Sequence, residues 1–168
     1  MELRAARPAD LDRLTRLDDS FTTDTVFEVL AEPERLTLRA VPVDPPLTKV
    51  FPPDDEPPGD VFVAADGPRV RGFVALEVVE WHRRLVVRQL TVAPGHRGRG
   101  VGRALVERAA AHGRELGLRT LWLETSSVNV PAVRAYQRMG FTLCGLDTTF
   151  YRSTPAEGET ALFFARPL

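Results

Sequence analysis

The sequence predicts an α/β (α+β) protein, a mixed and largely antiparallel sheet flanked by helices in a single domain over residues 1–168. Three observations predict it. Residues 85–124 read as a strand, a glycine-arginine turn, a helix and a second strand. Asp66-Gly67 between two apolar runs is a hairpin signal. A second helical segment is then followed by two more short apolar runs towards the C-terminus. At 168 residues the chain can bury one substantial core. An apolar fraction of 43% with a net charge of -1 argues against disorder and against general nucleic-acid affinity. Cys144 is the single cysteine, so no internal disulfide can form, and it reads as a small buried side chain in a strand. No stretch has the apolar core of a signal peptide or the length of a membrane span, which points to a cytoplasmic protein with no membrane partner. His82, His96 and His112 lack metal-ligand spacing, so no metal is expected.

In chain order, Leu3–Ala6 forms a short strand and Pro8 stands where a helix begins. Leu11, Leu14, Leu17 and Phe21 recur at helical spacing and would cover one face of a sheet. The stretch Asp18–Phe27 is acidic and hydroxylated; it reads as a helix end with Ser20 or Thr23 capping a second short helix, or as part of a wall for a cationic substrate. Leu36–Val41 is a strand. Residues 42–60 carry many prolines and the cluster Asp54-Asp55-Glu56, so a Pro/acid-rich loop without regular structure is expected, its part from Pro45 to Phe51 apolar enough to pack. Val61–Ala65 and Val70–Val79 make the antiparallel pair, and Glu80–Arg84 turns the chain. Leu85–Val92 is a strand stopped by Ala93-Pro94-Gly95. Val101, Leu105, Ala109, His112 and Leu116 mark one face of the following helix, with Arg103, Glu107 and Arg114 on the other. Thr120–Thr125 is a strand, and Asn129–Met139 a helix with core residues Val133, Tyr136 and Met139 and a C-cap at Gly140. Phe141–Leu146 and Ala161–Ala165 close the chain as strands around the loop 147–159.

The turn Arg97-Gly98-Arg99-Gly100-Val101-Gly102 carries the first chemistry. Glycine at alternate positions lets the backbone take positive φ and come close to a ligand. A helix N-terminus presents N–H groups without intrahelical partners and a partial positive charge. With Arg97 and Arg99 at the mouth, the expected guest is a phosphate; the competing reading is an ordinary strand-to-helix turn with solvated arginines. A dinucleotide fingerprint would need glycine where Arg103 stands, and a Walker A loop would need a lysine that this segment lacks.

Arg-Gly-x-Gly-x-Gly between a strand and a helix resembles the acetyl-coenzyme A signature of the GNAT superfamily of N-acetyltransferases. Leu121-Trp122-Leu123-Glu124, Asn129, Ala132-Val133-Arg134-Ala135-Tyr136 and Met139-Gly140-Phe141 are similar to the C-terminal half of that superfamily, in the same order. A narrower likeness, to the streptothricin (nourseothricin) N-acetyltransferases, runs through Ser20–Phe27, Val41–Pro52 and Arg138–Thr148. The resemblance implies acetyl-CoA as cosubstrate, its pyrophosphate on the amides of Gly98 to Gly102, and its pantetheine arm along the backbone of Leu90, Thr91 and Val92. It also implies a cationic antibiotic as the small-molecule partner, acetylated on an amine of its β-lysine side chain to give antibiotic resistance. The chain departs from the pattern in one place: many members carry an acidic base on the strand before the glycine turn, where this chain has Arg88-Gln89-Leu90.

That departure moves the general base to Glu124, at the end of an apolar strand where burial would raise its pKa; otherwise it is a strand-end glutamate paired with an arginine. Members with a similar Leu-Trp-Leu-Glu segment use this glutamate as base. Tyr136 is by resemblance the acid that protonates the departing thiolate, or else a core aromatic. Asn129 caps the second helix or binds the pantetheine arm. A polycationic substrate needs carboxylates and an aromatic face; Asp24, Glu80, Trp81 and Asp147 are the candidates, with Tyr151 a weaker one. Rival functions are acetylation of a peptide or protein N-terminus or another small amine, and a non-catalytic acetyl-CoA sensor, which the joint presence of Glu124 and Tyr136 disfavours. A homodimer is compatible with the sequence.

Overall fold

The computed structural model describes residues 1–51 and 59–168. In chain order the elements are β1 (Glu2–Ala5), α1 (Pro8–Leu14), β2 (Phe21–Glu32), β3 (Arg35–Lys49), β4 (Asp60–Asp66), β5 (Arg69–Val79), β6 (Arg84–Val92), α2 (Val101–Glu115), β7 (Thr120–Ser126), α3 (Val130–Arg138), β8 (Thr142–Asp147) and β9 (Ala161–Pro167), with 3-10 turns at Glu80–His82 and Pro94–His96. They form two compact units. The first comprises Met1–Asp19, Phe51–Leu123 and Ala165–Leu168, the second Ser20–Val50 and Glu124–Phe164.

In the first unit the strand order is β1-β4-β5-β6-β7. The first three neighbouring pairs are antiparallel and β6–β7 is parallel, in keeping with a mixed, mostly antiparallel sheet. Alternation along β4 sends Val63 and Ala65 to one face and Phe62 to the other. Leu14 of α1 packs on the first face with Val63, Ala65, Phe73 and Ala75. On the other face α2 buries Val101, Leu105, Val106, Ala109 and Ala110, and Phe62 meets the His112 ring edge-on at 5.1 Å. Leu116, expected on the buried stripe of α2, is half exposed because the helix has ended at Glu115. Helix α1 starts at Pro8 as expected, and Asp10 in its first turn accepts the Arg7 N–H (2.9 Å) and an Arg4 guanidinium nitrogen (2.6 Å). It is shorter than the leucine spacing suggests. Leu17 still packs beside Leu14, but Phe21 opens β2.

The second unit holds the long hairpin β2–β3, α3 and the order β7-β9-β8. Here two expectations are corrected. The segment 18–27 carries no second short helix: from Phe21 it is strand, with Phe21 and Thr23 buried and Thr22 and Asp24 exposed, a two-residue period that suits β-branched threonines better than a helix. Residues 42–49, expected as irregular loop, continue β3 to Lys49. The register explains why the prolines are tolerated: Thr23 pairs with Leu47 and Thr25 with Pro42, so Pro45 and Pro46 fall in the irregular stretch between them. Among the described residues β3 has β2 as its one strand partner, and on the side away from that partner a missing N–H breaks no ladder bond. The acidic cluster Asp54-Asp55-Glu56 lies outside the described residues. Cys144 on β8 is exposed rather than buried, its Sγ 3.4 Å from the Phe163 carbonyl oxygen.

Candidate active site

In the first unit the glycine turn has the geometry that its sequence predicts. Gly98 and Gly100 have φ of 71° and 85°, the left-handed region that a Cβ penalises. Gly100 is the N-cap of α2 and supplies no side chain, and its carbonyl oxygen accepts the Ala104 N–H at 3.0 Å. The N–H groups of Val101 and Gly102, in the first turn, precede the first i to i−4 acceptor that the helix offers. Arg97 is braced against the main chain, donating to Val92 O (2.8 Å) and Asp18 O (2.9 Å). Arg99 is exposed beside it. Such a turn suits an anionic oxygen.

Strand β6 leads into this turn, and its pairing matters. The ladder with β7 runs from Arg84↔Thr120 to Val87↔Leu123 and stops there. On the other side β5 pairs with Gln89, Leu90, Thr91 and Val92, after a register shift between Ala75 and Leu76 that leaves Arg88 as the extra residue. The edge of Leu90, Thr91 and Val92 facing away from β5 thus lies past the end of the β7 ladder, where an extended amide chain could be bonded. Arg88 forms an ion pair with Glu77, so the bulge carries a cation and no acidic base.

In the second unit the candidate groups are side chains. Glu124, near the end of β7, accepts a hydrogen bond from the Tyr151 hydroxyl at Oε1. The structure pairs it with a phenol, not with an arginine. Burial pushes the Glu124 pKa above the usual carboxylate range, while Tyr151 and the Lys49 charge oppose that rise and Glu159 adds to it. Tyr136 projects from α3 into an aromatic group with Phe141 (5.8 Å) and Phe164 (6.5 Å). Burial, reinforced by the Glu124 charge, lifts its phenol to about 12. It stays neutral, and so able to donate, throughout the working pH range. Asn129 caps α3, its Oδ1 accepting the Ala132 N–H at 3.2 Å.

Next to Glu124 is a trio that patterning does not reveal. Lys49 Nζ lies 2.5 Å from both carboxylate oxygens of Glu159, and Ser126 donates to the same carboxylate. Lys49, Ser126, Tyr151 and Glu159 come from a hairpin strand, a strand end and an aperiodic loop, so no spacing links them.

The weaker candidates for the substrate wall are divided between the two units. Glu80 and Trp81 share the 3-10 turn of the first unit, with Trp81 85% exposed and stacked on His82 at 4.1 Å. Asp24 and Asp147 lie in the second unit. Asp24 accepts the Thr25 hydroxyl, and Asp147 accepts the Thr149 N–H and hydroxyl, both at 2.7 Å, which holds its carboxyl below the usual range. Among the described residues no helix is long and apolar enough to cross a membrane, and no group of three or more His, Cys, Asp or Glu side chains is placed to hold a metal ion.

Comparison with known proteins places this geometry. The acetyltransferase (GNAT) family model matches residues 23–141. Streptothricin acetyltransferase of Streptomyces lavendulae is 47% identical, over 99% of this chain and 94% of that protein. The crystal structure of nourseothricin acetyltransferase superposes with a TM-score of 0.92 at 52% identity, covering 99% of this chain and 97% of the other. A candidate streptothricin acetyltransferase of Bacillus anthracis, solved in complex with acetyl coenzyme A, shares the fold at a TM-score of 0.84 and 23% identity, with 99% of both chains covered. With this fold, this turn and these likenesses, the chain belongs to the GNAT family and is an N-acetyltransferase.

Proposed function

We propose that the protein, as one acetyltransferase domain in the cytoplasm, moves the acetyl group of acetyl-CoA onto an amine of the β-lysine side chain of streptothricin-class antibiotics and so confers resistance. The observation that carries this is the 47% identity to streptothricin acetyltransferase over 99% of the chain, which takes in the β2–β3 hairpin and the C-terminal loop as well as the glycine turn.

The residues fit the cosubstrate. The uncapped start of α2, with Gly98 and Gly100 in the left-handed region and two arginines alongside, suits a diphosphate. The amide-bearing arm suits the edge of Leu90, Thr91 and Val92, whose N–H groups also polarise a thioester carbonyl. Bound acetyl-CoA supplies an acetyl group already activated as a thioester. What the chain adds is proton management. A free alkylammonium of pKa near 10.4 is deprotonated only about once in 10³ at neutral pH, a barrier of about 4.6 kcal/mol. Glu124, its basicity raised by burial, takes that proton directly or through one water. Tyr136, neutral at working pH, gives a proton to the sulfur that leaves. In this reading carboxylates of the second unit, Asp24 and Asp147 among them, favour a polycation over a neutral amine.

Mass spectrometry of streptothricin after incubation with protein and acetyl-CoA tests the proposal. One added acetyl group on the β-lysine moiety is expected, with N-terminal peptides unmodified under the same conditions. Unmodified streptothricin alongside thiol release on peptides would transfer the activity to another amine.

A further inference from the structure

Glu124 is a half-buried carboxylate whose direct hydrogen-bond partner is a neutral phenol, and this choice of partner has consequences for catalysis. A carboxylate in a low-dielectric setting needs a donor, because an unpaired one would protonate. An arginine in that position would stabilise the anion so strongly that it became a poor base. A phenol donates one hydrogen bond, occupies one oxygen and adds no charge. We propose that Tyr151 is a positioning residue of the acetyl transfer: its hydroxyl fixes Oε1 of Glu124, leaving Oε2 to take the proton from the amine. This rests on the assignment of Glu124 as the base.

Two further observations support it. Tyr151 is itself held in place. Phe150 meets its ring edge-on at 5.2 Å and in turn meets Phe163 at 6.0 Å, and the Tyr151 carbonyl accepts the Thr154 hydroxyl (2.7 Å) and N–H (3.1 Å). A loop pinned at both side chain and main chain can orient a carboxylate. The second observation is the charge balance around Glu124. The groups that act on it are Tyr151, Lys49 and Glu159, while its own charge raises the neighbouring Tyr136 phenol; Lys49 favours its ionised form and Glu159 opposes it. Because Lys49 is bonded to both oxygens of Glu159, those two effects offset one another. The Tyr151 hydrogen bond is then the chief counterweight to burial.

The test is the pH dependence of kcat/KM for streptothricin. Removing the hydroxyl in Tyr151→Phe keeps the ring and deletes a bond that lowers the Glu124 pKa, so the acidic limb should move up by about one pH unit. The rate at neutral pH should fall about tenfold, with acetyl-CoA affinity by calorimetry unchanged. Replacing Tyr151 with a difluorinated tyrosine, a stronger donor of nearly the same shape, should move the limb the other way. A purely structural Tyr151 would leave the limb in place in both proteins, and that result overturns the proposal. Glu124→Gln separates the two ideas. If it abolishes the limb while both Tyr151 variants leave theirs unmoved, Glu124 is the base and Tyr151 does not position it. If the limb persists in Glu124→Gln, the base lies elsewhere and the positioning role falls with it.

Discussion

At the start of α2 the groups offered to a ligand are main-chain N–H groups, set by two glycines of positive φ within a run of six residues. Around Glu124 they are side chains that come together from Lys49, Ser126, Tyr136, Tyr151 and Glu159. The first region owes its fitness for an anion mainly to backbone geometry, with Arg97 and Arg99 adding charge at its mouth. The second, as the proposed proton-transfer site, depends on the chemistry of each side chain, where one oxygen more or less should change the outcome. A substitution should therefore act differently in each: through affinity for the cosubstrate at the turn, and through rate and pH profile at the cluster.

The larger effect belongs to the cluster. Tyr136→Phe should lower kcat about 10²-fold while acetyl-CoA affinity, measured by titration calorimetry, is kept. An unchanged kcat would remove Tyr136 as the acid and leave it a core aromatic beside Phe141 and Phe164. At the turn the effect is smaller and of the opposite kind. A Cβ on Gly100 would meet nothing within 4 Å, so Gly100→Ala carries only the cost of holding φ at 85°. That cost, about 1–2 kcal/mol, should weaken acetyl-CoA binding about tenfold with kcat at saturation little changed. If the same calorimetry gave wild-type affinity, the diphosphate would have to sit elsewhere.

The same contrast explains what the sequence could and could not reveal. Strand β6, the turn and α2 were legible because their signals are local: a β-branched run, a stop at Ala93-Pro94-Gly95, and an apolar period from Val101 to Ala109. The Asp66-Gly67 hairpin and the Asn129 cap were legible for the same reason. The raised pKa expected for Glu124 follows from its apolar strand. Its partner was not legible, since Tyr151 lies in an aperiodic loop with no register to say which way it faces. The hairpin misled for a physical reason. Ser20, Thr22, Thr23 and Asp24 are capping residues by type, yet a strand partly open to water accepts them, and Phe21 and Thr23 still find a buried face. The prolines of 42–46 read as loop because strand propensity assumes two partners, and β3 has one among the described residues.

The central claim is that a partly buried carboxylate at position 124, raised but kept ionisable by its neighbours, removes the proton that holds the amine unreactive. The pH profile of kcat/KM for streptothricin, recorded for the native protein and for Glu124→Gln, tests it most directly. A single acidic limb lying above the ordinary glutamate value of about 4.3, and lost in the variant, is the expected result. An acidic limb of the same midpoint in both proteins would contradict it.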